Sequence, residues 1–99
     1  MSKAEFPHWR SDIDSLAFQP AGHLGVCVMH RRAFRALLRA LPSPQQCLDF
    51  YFTHQPAFLA AASEKMRLKR LAATANFHLT SRDIGRQLRI QVAPAAEVG

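Results

Sequence analysis

The 99-residue chain is poor in several things: seven Asp and Glu, four Gly, two Cys, one Trp and one Tyr. Each scarcity excludes something. Four scattered glycines cannot build a Gly-rich phosphate loop. His23, Cys27 and His30 are close in sequence, but Cys27 and His30 differ by an odd number and point to opposite faces of a strand. Cys47, His54 and His78 fall on other elements, so neither a metal site nor a cofactor is expected. Both thiols read as small buried hydrophobes, because Cys27 falls in an apolar strand pattern and Cys47 on the apolar side of a helix pattern. Among the carboxylates only Asp12 and Asp14 lie close together, in a polar N-terminal segment ill-suited to acid–base chemistry. The sequence therefore predicts a protein that is not an enzyme. No apolar run reaches the ~18 residues of a membrane span or the ~7–15 of a secretory signal, so a cytoplasmic protein without membrane contact is expected.

What is present suffices for one core. Leu, Ile, Val and Phe supply 25 of the 99 residues, which is enough to collapse a single domain and too little for two. Residues 1–14 read as an N-terminal arm, 15–92 as one domain and 93–99 as a tail. Ser15-Leu16-Ala17-Phe18 and Leu24–Met29 are strand patterns separated by Gln19-Pro20-Ala21-Gly22, whose turn chemistry predicts an antiparallel hairpin. From Arg31 to Leu41 the pattern is helical, with Phe34, Leu37, Leu38 and Leu41 in one arc of about 100° and Arg31, Arg32, Arg35 and Arg39 in another. Ser43, Pro44 and Gln46 form an N-cap, a first-turn proline and a capping box for a second helix.

Apolar positions from Cys47 through Leu48, Tyr51, Phe52 and Phe58 to Met66 keep one side of that helix, and Pro56 bends or breaks it. Asn76–Thr80 reads as a strand, Ser81–Gly85 as a turn or a single helical turn, and 86–92 as an edge strand with its arginines outward. The sum is an α+β domain: a small antiparallel sheet of three to four strands, with a short amphipathic helix and a long Pro-bent helix packed on one face.

The order of these signals resembles a family of small bacterial proteins, the domain-of-unknown-function family fourteen-eighty-eight. The residues that carry the resemblance are Ala17-Phe18, Val26-Cys27-Val28 leading into Arg32-Ala33-Phe34, then Phe52, Leu59 and Ala62-Ser63-Glu64-Lys65-Met66, and Phe77–Ile84. It spans roughly residues 15–84 and implies an α+β fold with no assigned activity. His30 departs from it where a small hydroxyl residue would cap the first helix, and so does Pro56 within the long helix.

Charge is the strongest functional signal. Residues 31–92 hold eleven Lys and Arg against three acids, whereas the two ends are slightly acidic within a net charge of +6. The contact residues this suggests are Arg31, Arg32, Arg35, Arg39, Lys65, Lys69, Arg86 and Arg89. Converging on one surface, they would bind an acidic macromolecule, protein or nucleic acid, the latter through its backbone with strong salt dependence. Pointing apart, they are solvated faces. The absence of aromatics within the cationic helix face and of RNP-like, zinc-finger or helix-turn-helix signatures argues against base reading. Phe50, Tyr51 and Phe52 cannot all share one helix face, which fits either an aromatic patch for a protein partner or homodimer, or Phe50 packed inside.

Overall fold

The computed structural model describes residues 6–98, with side chains as far as Ile90. In chain order the elements are β1 (His8–Arg10), β2 (Ser15–Phe18), β3 (Cys27–His30), α1 (Arg31–Leu38), α2 (Pro44–Thr53), α3 (Gln55–Lys69), β4 (Phe77–His78) and α4 (Ser81–Val98). They form an α+β fold with a four-stranded sheet in the order β1-β2-β3-β4. β1 lies inside the segment read as an arm, and α4 runs past the boundary drawn at residue 92.

The β2–β3 hairpin is antiparallel, pairing Leu16 with Met29 and Phe18 with Cys27. Those four side chains share one face, since directly opposed residues point the same way, and all four are buried. Trp9 on β1 and Phe77 on β4 extend the same face. The expected all-antiparallel sheet is corrected at its last strand, because β4 pairs with β3 in parallel. The reason is topological: the chain leaves β3, makes three helices and re-enters from the same end, which is what a parallel crossover requires.

The turn before β3 locks onto the segment that leads into β4. Leu24 and Gly25 donate their backbone N–H to the Ala73 carbonyl, and the Val26 N–H goes to Asn76 Oδ1 at 2.9 Å. A Cβ on Gly25 would lie 2.1 Å from the Ala75 carbonyl oxygen, so only glycine fits this approach.

His30 caps α1 after all: its Nδ1 accepts the Arg32 N–H at 3.0 Å, the part a small hydroxyl residue would play. The helix stops at Leu38, short of the expected Leu41, with Arg39 in the left-handed region at φ 66°. Arg39 closes the helix as a left-handed cap, its N–H donating to the Arg35 carbonyl at 2.7 Å, and Pro42 keeps Leu41 out of helical geometry. The capping box at α2 is present in full, with Ser43 Oγ accepting from Gln46 N–H and Gln46 Oε1 accepting from Ser43 N–H. Between α2 and α3 the helix breaks at His54, and Pro56 falls in the first turn of α3, where its missing N–H is not needed. Phe34, Phe50 and Phe58 meet across α1, α2 and α3 with ring centroids about 6 Å apart. It is Phe52, not Phe50, that leaves the apolar face, and it is 58% exposed.

The largest correction is α4. The segment 86–92 is a helix, not an edge strand. Thr80 and Asp83 close a reciprocal cap, Thr80 Oγ1 accepting the Asp83 N–H at 3.2 Å and Asp83 Oδ2 accepting the Thr80 N–H at 2.9 Å. Ile84 and Gln87 then face inward, at i and i+3, with Leu88 half-buried beside them.

Candidate cationic surface

The cations named from the sequence divide into two sets. Arg31 is held at the root of α1: its Nε donates to Asp14 Oδ1 at 2.9 Å and its Nη1 to the Pro42 carbonyl at 3.2 Å. Lys65 is held between α3, β4 and α4, where its Nζ donates to the His78 carbonyl at 2.9 Å and to Asp83 Oδ2 at 3.0 Å. Arg86 lies 3.4 Å from Glu64 and 3.3 Å from Asp83. These three bind elements of the fold to one another. Arg32, Arg35, Arg39, Lys69 and Arg89 are exposed and make no ion pair among the described residues, and the same holds for Arg67, Arg70 and Arg82.

The described carboxylates are almost all taken. Asp12 pairs with Arg10, Asp14 with Arg31, Glu64 with Arg86, and Asp83 with Lys65 and Arg86. Burial alone would push the Asp83 carboxyl up, but the Thr80 backbone N–H and the Lys65 ammonium outweigh it and hold the group below its ordinary value. Only Asp49 has no cation among the described residues; it accepts Gln45 Nε2 at 3.0 Å. Internal pairing thus leaves eight exposed cations unneutralised among the described residues.

The helical state of α4 arranges part of that excess. Arg82, Arg86 and Arg89, at i, i+4 and i+7, fall within an arc of about 60° at 100° per residue. The expected edge strand could not have turned both Arg86 and Arg89 outward, because their separation is odd; the helix puts them on one face. Lys69 lines the shallow groove of about 120 Å³ between α3 and α4 that also contains Arg86. The α3 and α4 clusters are therefore neighbours. Arg31 and Leu38 of α1 face the linker and α2, and α1 also contacts α4. Of the three basic clusters in the sequence, the fold brings those of α3 and α4 side by side.

Other chemistry is sparse among the described residues. Burial pushes the Cys47 thiol up to about 11 and the Cys27 thiol further still, so both are protonated at neutral pH. Among the described residues no group of three His, Cys, Asp or Glu is placed to hold a metal ion, and no helix is long and apolar enough to cross a membrane. The outward sheet face carries a groove of about 370 Å³ floored by Val26 and Val28 and rimmed by Arg10, Asn76 and His78. Compared with known protein families, curated proteins and solved structures, the chain matches none.

Proposed function

We propose that the chain is a non-catalytic binding module that takes an acidic macromolecule on the cationic face formed by α4 and the end of α3. The observation that supports this is the exposed pair Arg82 and Arg89, flanking Arg86 on one face of α4 and near Lys69, where the carboxylates Glu64 and Asp83 are already taken by Arg86 and Lys65. A partner's anions would therefore meet uncompensated charge. The exposed Arg32 and Arg35 on α1 and Arg39 at its C-cap are the alternative contact residues. A nucleic-acid backbone is the runner-up within the same reading, favoured by the regular spacing of the α4 arginines along one helix. The resemblance to family fourteen-eighty-eight is proposed beside it and adds no activity.

The test is a binding titration against double-stranded DNA, single-stranded RNA and polyglutamate across a range of salt. Loss of Lys69, Arg82 and Arg89 to Ala should weaken binding of the preferred polyanion and flatten its log–log salt slope by roughly 2–3. No binding of any of the three at low salt defeats the proposal. Binding unaffected by the triple change moves it to the α1 surface.

A further inference from the structure

The groove between the end of α1 and α2 has chemistry that the cationic surface does not use. It encloses about 370 Å³, with Leu38, Leu41, Pro42 and Phe50 as its apolar walls and Asp49 among its lining residues. Leu41 is half exposed there. Asp49 is the one described carboxylate without a cation in a chain of net charge +6, and its Oδ2 has no hydrogen-bond partner among the described residues. An occupant that fits offers an apolar side chain for the slot and a cation two or three residues away for Asp49. The chain presents that combination in Arg39-Ala40-Leu41, whose Ala40 and Leu41 line the same groove and whose Arg39 is exposed and unpaired among the described residues.

We infer that this groove is a self-association surface, in which a second copy seats its Leu41 in the slot and brings its Arg39 to Asp49. Each groove supplies both halves of the contact, so a two-fold axis makes the Arg39–Asp49 pair twice, as an isologous interface requires. The two linkers between α1 and α2 then run antiparallel across the axis, each covering the apolar walls of the other. Charge complementarity favours this occupant, because every other described carboxylate is neutralised within its own copy while Asp49 and Arg39 are not. The inference does not rest on the cationic reading, and the groove shares no lining residue with the one between α3 and α4.

Sedimentation of the purified chain tests it without any added ligand. The wild-type chain should be a reversible dimer at ~0.5 mM, where even an interface below standard size is populated. Leu41→Glu, Asp49→Arg and Arg39→Asp should each weaken dimerisation about tenfold or more, the substitutions at 39 and 49 by setting like charges opposite each other. The double variant Arg39→Asp/Asp49→Arg restores the attraction and should recover the dimer. Circular dichroism checks that each variant is folded, and Asp is tolerated in the left-handed backbone at residue 39. A monomeric wild-type chain at that concentration overturns the inference, as does a folded double variant that stays monomeric when both single charge variants are monomeric. Single variants that dimerise like the wild type overturn it too.

Discussion

Lys65 and Lys69 stand one helical turn apart on α3 and do opposite things. Lys65 has a side chain only 20% exposed and closes onto β4 and α4, whereas Lys69 is exposed at the edge of the α3–α4 groove. The same division recurs on α1, where Arg31 is tied to Asp14 and the linker while Arg35, also one turn on, is exposed. On α4, Arg86 reaches Glu64 and Asp83 between the exposed Arg82 and Arg89. Residue type and helical position do not distinguish the members of each pair. What does is whether a carboxylate from another element comes within reach, so a cation serves the fold or a partner according to tertiary packing.

Substitution should separate the two sets. Lys65→Ala leaves the Asp83 carboxylate and the His78 carbonyl short of a donor in a half-buried site, and should cost about 2 kcal/mol in urea denaturation. Lys69→Ala should stay within about 0.5 kcal/mol, as surface changes usually do. Equal losses at the two positions would break the comparison. A smaller effect of the same kind is expected on α1. Arg31→Ala should destabilise by about 1 kcal/mol, less than Lys65→Ala because the Arg31–Asp14 pair is better solvated, while Arg35→Ala leaves the denaturation midpoint unchanged.

What could be read in advance followed the range of the forces involved. The Ser43 capping box, the β2–β3 hairpin and the core-facing arc of α1 are local, made by residues a few positions apart, and their patterns are visible in one dimension. β4 is two residues long, too short for alternation to give its direction, and its parallel pairing depends on how three intervening helices return the chain. In α4 a readable signal competed with a stronger false one. Thr80-x-x-Asp83 is a helix start, but Arg86–Val92 alternates polar and apolar like a strand. The alternation misleads because Gln87 is buried, with its Nε2 donating to Glu64 Oε1 at 3.0 Å, while Ile90 is half exposed. A buried polar residue satisfied by another helix leaves no trace in hydropathy. For the same reason the cationic site could be enumerated but not sorted: Asp14 lies 17 residues from Arg31, Glu64 22 from Arg86, and Asp83 18 from Lys65 and 3 from Arg86, so that only the last of these pairs is local.

The smallest effect, and the one that probes the division of the cations most directly, is in pH. The Asp83 carboxyl is held below its ordinary value in the fold, whereas in the unfolded chain it returns to about 3.8. The unfolded state therefore takes up a proton first as the solution is acidified. The stability that Asp83 contributes is complete above the unfolded value and is lost as pH falls through the lower, folded one. Asp83→Asn removes that linkage along with the ion pairs to Lys65 and Arg86. The variant should be less stable than the wild type at pH 7, and the gap between them should narrow steadily as the pH falls from about 5 towards 2. Lys69→Ala, which touches no described carboxylate, should run parallel to the wild type over the same range. Denaturation midpoints followed by circular dichroism read both curves. A gap for Asp83→Asn that stays constant with pH would mean that the Lys65 contact acts by packing alone, and the line drawn between the cations that hold the fold and those left for a partner would then lose its electrostatic basis.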